Sequence, residues 1–154
     1  MEVARDRVAA VAAEETARGA GRVELCGALG PVPHAAVRRA VGDRAEVGAV
    51  MYGFESLEAT TSFKQRFAAG EQLRAAFLIA APAGTPGGDR VEVAGTTVAT
   101  IGDPAQAARL ARELAAEGVE LFELHGAPAP EAAAAVIDAV GERVAVGLAL
   151  YPAR

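Results

Sequence analysis

The sequence predicts an α/β fold: pseudo-symmetric, duplicated β-α-β units with mainly parallel strands and helices packed on the apolar sheet face. Three observations carry that expectation. Residues 5–52 align with residues 104–151 without a gap, at an offset of ninety-nine. Within each copy, apolar residues recur first at helical spacing and then in short strand-like runs, in alternation. Side chains two apart in those runs sort into one apolar face and one polar face.

The match is densest at Glu24/Glu123, Leu25/Leu124, Gly27/Gly126, Ala28/Ala127 and Pro31/Pro130. Val37/Val136, Arg44/Arg143, Val47/Val146, Gly48/Gly147 and Tyr52/Tyr151 continue it, with AVG at 40–42 and 139–141. Alanine-rich helices align by chance. A gap-free match in Glu, Gly, Pro, Arg and Tyr marks a duplication. The two repeats, about 5–52 and 104–151, are expected to form a single α/β domain, joined by a helix and strands at 53–103. By the same offset, the first copy's version of 75–102 would precede Met1, so that copy lacks its leading strands or the true start lies upstream.

The second copy shows its elements most clearly. Asp103 is placed as an N-cap, Pro104 at the first helical position and Gln106 for a capping box. Ala107, Leu110, Ala111 and Leu114 form one apolar stripe, and Gly118 ends the helix. VELFELHG then reads as a strand, PEAAAAVIDAVG as a helix and VAVGLALY as the next strand. The first copy gives a helix over about 5–18, a strand over 22–27, a helix over 33–41 and a strand over 45–52. Between the copies the pattern predicts a helix at about 55–69, a buried strand at 75–82, a loop at 82–89 and one or two short strands within 90–102.

Composition narrows the function. Hydrophobic residues make up 52% and charged residues 23%, a globular balance. The net charge is −5 with no Lys/Arg cluster, which argues against a nucleic-acid partner, because phosphate neutralisation supplies most non-specific affinity. No apolar run approaches the roughly 18 residues of a membrane helix, and the N-terminus has no signal-peptide core. A cytoplasmic protein without a membrane partner is expected. Lys64 is the only lysine, a bias that suggests a GC-rich bacterial genome.

The two strand faces differ. One carries Val23, Leu25, Val47, Ala49 and Met51, matched by Phe122, Leu124, Val146, Leu148 and Leu150, and should pack the helices. The other carries Glu24, Cys26, Gly48, Val50 and Tyr52, matched by Glu123, His125, Gly147, Ala149 and Tyr151. A carboxylate inside a buried strand is costly unless it is paired or hydrogen-bonded, and here it occurs twice. Ligands of α/β proteins gather at strand C-terminal ends. One polar edge per copy is therefore expected: Glu24, Cys26, His34 and Tyr52 in the first, Glu123, His125 and Tyr151 in the second. The loops at Gly27 and Gly126 would offer backbone N–H groups to an anion. Each residue also has a plainer role. The glutamates can accept backbone N–H bonds or pair with Arg44 and Arg143, Cys26 can be a small buried apolar group, His34 can lie in solvent, and the glycines can serve tight turns. Neither a CxxC or HExxH spacing nor a GxGxxG loop is present, so no metal and no cofactor is expected.

At VELCGALGP…AVGDRAEVGAVMYGFESL and FELHGAPAP…AVGERVAVGLALYP the chain resembles a small bacterial family, domain of unknown function 6506, as two copies with the first shortened. The resemblance implies no activity. The second copy departs from the family phrase, with His125 in place of Cys and APAP in place of its GFGP segment. GAGRVELCGAL is also similar to a phrase of the CutC copper-homeostasis family, which implies a parallel β/α architecture with a site at the strand ends.

Two functional readings follow. In the first, the protein binds a small anionic metabolite and performs acid–base chemistry of isomerase or lyase type. Glu123 or His125 would be the base, Tyr52 or Tyr151 the proton donor, and Gly27 and Gly126 the anion cradle. In the second, it is a non-catalytic ligand-binding or assembly module, compatible with a homo-oligomer, and its Glu and Tyr residues are structural. Replacing either glutamate by glutamine would then cost about 1–3 kcal/mol of stability.

Overall fold

A computed structural model describes residues 7–152. The first repeat runs α1 (Val8–Ala17), β1 (Arg22–Leu25), α2 (Pro31–Val41) and β2 (Glu46–Tyr52). A 3-10 turn at 54–56 leads into α3 (Leu57–Ala68) and β3 (Arg74–Ala80), followed by a hairpin of β4 (Arg90–Val93) and β5 (Thr96–Ile101). The second repeat is α4 (Pro104–Ala116), β6 (Val119–His125), α5 (Pro130–Val140) and β7 (Ala145–Leu150).

The element order is the expected one, and the shifted boundaries have local causes. Pro31 opens α2 two residues early, because the first helical position needs no N–H. Residues 90–102 resolve into a hairpin whose turn, Ala94–Gly95, has φ of +50° and +82°, as a two-residue type I′ turn requires. Asp103 caps α4, its carboxylate accepting the Gln106 N–H at 2.7 Å. The Gln106 side chain reaches back to accept the Gly102 N–H at 2.7 Å. Residues 5 and 6 of the expected first helix lie outside the described residues.

All seven strands join one curled sheet in the order β1-β2-β7-β6-β3-β5-β4. Four of the six pairings are parallel; β2–β7 and β4–β5 are antiparallel. The register makes the duplication visible. Glu24 faces Gly48 on β1–β2, and Glu123 faces Gly147 on β6–β7. Across the central antiparallel pair, Val50 faces Ala149, its own counterpart in the other copy. A pseudo-two-fold axis therefore passes between Val50 and Ala149.

Helices α1, α2, α4 and α5 cover one face in two groups, and α3 buries no residue of its own. Val8, Ala12, Val37 and Val41 of α1 and α2 pack on Leu25, Val47 and Ala49. Ala107, Ala111, Leu114, Ala133 and Val136 of α4 and α5 pack on Ala76, Leu78, Phe122, Leu124 and Val146. Phe122, Leu78 and Leu124 are fully enclosed, each worth about 1.5–3 kcal/mol of transfer free energy. The assignment of the apolar face holds except over the axis. Met51 and Leu150 remain 45% and 49% exposed and belong to neither core cluster. Among the described residues no helix is long and apolar enough to cross a membrane.

Candidate functional site

The polar face lines the inside of the curl, and its residues form one cluster shared by both copies. Glu24 on β1 accepts the N–H of Gly126, beyond β6, at 2.9 Å and that of Ala127 at 3.3 Å. Glu123 on β6 accepts the N–H of Gly27, beyond β1, at 2.9 Å. Strands β1 and β6 are three spacings apart, about 14 Å in a flat sheet. A glutamate side chain spans far less, so these bonds exist only because the sheet curls toward this face.

The tyrosines cross over in the same way. Tyr52 donates to Glu123 at 2.6 Å, and Tyr151 donates to Glu24. The glycines make room for the rings. A Cβ on Gly48 would lie 2.8 Å from the Tyr151 ring, and one on Gly147 would lie 2.9 Å from the Tyr52 ring. A Cβ on Gly27 would also collide with Tyr52. Thus three matched glycines follow from two matched tyrosines.

His125 sits between the two carboxylates. Its Nδ1 lies 3.3 Å from Glu24 and its Nε2 3.3 Å from Glu123. Ionised carboxylates only accept hydrogen bonds, so this placement on both sides of the ring favours a His125 that donates from both nitrogens, the imidazolium form. Burial alone would lower the His125 pKa, but the two carboxylates outweigh it and raise it to about 9. Burial likewise raises the Glu24 carboxyl, but bonds from His125, Tyr151 and the Gly126 N–H bring it down to about 2. Burial and the neighbouring carboxylates push both tyrosine hydroxyls well above their ordinary range.

Cys26 occupies the position equivalent to His125, and its thiol is pushed up by burial first and by the Glu123 charge second. The pseudo-axis thus holds one cation for two anions, and the second copy supplies it. A thiol with little thiolate reacts slowly. Native protein at about pH 7.5 is expected to consume alkylating reagent at Cys26 far more slowly than urea-unfolded protein; equal rates would show an accessible thiol that the fold does not raise, and a faster native rate an activated one.

Several expectations need correction. The copies do not hold one polar edge each, because the antiparallel β2–β7 junction brings both sets onto a single concave face. The loops at Gly27 and Gly126 do bind anions through N–H groups, but the anions are the protein's own glutamates. Arg44 does not pair with a glutamate of the cluster; it caps α2, donating to Ala40 and Val41 carbonyls at 2.6 and 2.9 Å. His34 is neither at the cluster nor in solvent. It shares the buried stripe of α2 with Val37 and Val41, and its Nε2 has no partner among the described residues.

Sequence reasoning missed two contributors. Phe77 on β3 lies tilted against His125, ring centroids 5.2 Å apart. Ser56, buried in the turn after β2, bonds both the N–H and the C=O of Val146, at 3.1 and 3.2 Å, where β2 no longer pairs with β7. Its signal, a serine one turn after a strand, is too common to single out. A cleft of about 220 Å³ lies outside the cluster, lined by Arg38, Asp43, Glu46 and Pro152, and shares only Tyr151 with it.

Residues 3–65 and 73–154 match, as two tandem segments, the family described as Family of unknown function (DUF6506). The chain belongs to this family. Each DUF6506 segment contributes one Glu, two Gly and one Tyr to the cluster, and each contribution is completed by the other segment. Among the described residues β1 lies at one edge of the sheet. No curated protein and no solved structure matches the chain. Nothing here supports the likeness to CutC, and the antiparallel β2–β7 and β4–β5 pairs depart from a purely parallel β/α architecture.

Proposed function

We propose that the Glu24–His125–Glu123 cluster with Tyr52 and Tyr151 is a clasp that welds the two repeats, and that the protein is a non-catalytic binding or assembly module. The observation that carries this reading is reciprocity. Each carboxylate is satisfied by a loop N–H and a tyrosine of the opposite repeat, with His125 between them. The proton affinities support it as well. A carboxylate near 2 and an imidazolium near 9 are poor proton carriers at neutral pH, where a general base should titrate close to the working pH.

The acid–base reading keeps one supporting observation. The side chains of Glu24 and His125 remain 12% and 11% exposed, beside a stretch of sheet that carries the half-buried Phe77. A small anionic metabolite there would compete with groups already paired.

Linkage gives the test. The His125 pKa rises from 6.5 in the unfolded chain to about 9 in the folded one. Its contribution to stability is complete below pH 6.5 and is lost as the pH rises through 9. The Glu24 pKa falls from 4.5 to about 2, so its contribution is complete above 4.5 and lost as the pH falls toward 2. Urea melts at about pH 6 and about pH 10 should differ by roughly 3 kcal/mol through His125; His125→Gln should remove that part and keep only the loss near pH 10 that the raised Cys26 thiol and tyrosine hydroxyls contribute. A wild-type stability unchanged between these pH values would mean that His125 carries no charge in the fold and that the clasp reading is wrong.

A further inference from the structure

Strand β4 is the last in the sheet and is exposed along its whole length, with Val91 at 57% and Val93 at 53%. Its face pattern is inverted. Arg90 and Glu92 stand on the helix side, where Arg90 bonds Glu117 at 2.7 Å and Glu92 accepts the Thr97 hydroxyl at 2.5 Å. The valines stand on the open side. There the row runs Val91, Val98, Phe77 and ends at Glu123. A solvated sheet face is ordinarily polar, and an open apolar edge strand is a template for pairing.

The hairpin fixes which backbone groups are free. Residues flanking a two-residue turn form a hydrogen-bonded pair, so Val93–Thr96 and Val91–Val98 exchange bonds. The N–H and C=O groups of Arg90 and Glu92 therefore point outward, and among the described residues no strand meets them.

We infer that β4 pairs antiparallel with β4 of a second copy of this chain, about a two-fold axis through Val91, so that two sheets become one. Charge complementarity selects both partner and register. Centred on Val91, each Arg90 faces Glu92 of the other copy, and both are hydrogen-bonded pairs. Each Val91 then meets its counterpart. Centring on Glu92 would set two carboxylates face to face. The opposite edge, β1, is less suited, because Glu24 is committed to the clasp. This pairing deepens the assembly reading, and the two fail separately: the clasp is read by stability, the pairing by mass.

Sedimentation velocity of the full chain from about 10 µM to about 1 mM should show the mass doubling toward the upper end, as a short interface implies. Glu92→Lys sets two cations opposite each other, and Arg90→Glu sets two anions. Each variant alone should stay at monomer mass, and their equimolar mixture should dimerise, because both ion pairs re-form between them. Val91→Cys provides a second route that leaves the charges alone. Its thiols meet at a non-hydrogen-bonded position with Cα atoms about 4.5 Å apart, within disulfide range. Diamide should link it into covalent dimers, whereas Val93→Cys, which would face Asp89, should not link. A wild-type monomer throughout, a dimer that survives both charge reversals, or Val91→Cys that does not cross-link would each overturn the proposal.

Discussion

Glu123→Gln should lower the stability by about 3 kcal/mol, a fall in melting temperature of roughly 10 °C for a chain of this size. Glu123 is only 3% exposed and accepts bonds from the Gly27 N–H, the Tyr52 hydroxyl and His125. Glutamine keeps the shape and one acceptor but removes the charge that faces the imidazolium. Its amide nitrogen then either meets the ring N–H or displaces the tyrosine. Removing one partner of a buried ion pair costs more than an average hydrogen bond, because the other charge stays behind. Thermal and urea unfolding of the variant give the value. A variant as stable as the wild type would mean that Glu123 is held for chemistry or for a ligand, not for the fold.

Gly147→Ala should cost a similar amount, about 3 kcal/mol, for a steric reason. The new Cβ would lie 2.5 Å from Val50 Cγ1 and 2.9 Å from the Tyr52 ring. Neither neighbour yields easily: Val50 is buried and β-branched, and Tyr52 is tethered by its hydroxyl to Glu123. Gly147 is not among the positive-φ glycines, so alanine suits the backbone and the loss is one of space. Combining Gly147→Ala with Val50→Ala should recover part of the stability, which unfolding of the double variant measures. No recovery would place the clash elsewhere.

The faces of the strands and the residue-by-residue correspondence of the two repeats were legible in the sequence because Glu, Gly and Tyr recur at matched places in a period-2 pattern. That pattern says which side of a strand a residue takes. It does not say which strands become neighbours. Two copies of a β-α-β unit meet either in parallel or about a two-fold axis, and only the second puts Glu24 against Gly126. Expecting one polar edge per copy followed from leaving that junction undecided. Gly48 and Gly147 were visible as small residues, yet their meaning depends on the ring from the neighbouring repeat. His34 was more legible than the expectation allowed: its spacing to Val37 and Val41 is that of one buried stripe. Phe77 was not legible, because the run AAFLIAA is apolar on both sides and gives no face.

Native-state amide hydrogen exchange at Gly27 and Gly126 tests the clasp most directly. Both follow strand ends in loops, where a free N–H exchanges rapidly. Bonded to Glu123 and Glu24 of the opposite repeats, they should exchange as slowly as the strand amides of Phe122 and Leu124, and the protection should fall together in Glu24→Gln or Glu123→Gln. Fast exchange at both glycines in the wild type would mean that the loops are open and the carboxylates unclaimed. The cluster would then be a site awaiting an anion and not a joint between two halves.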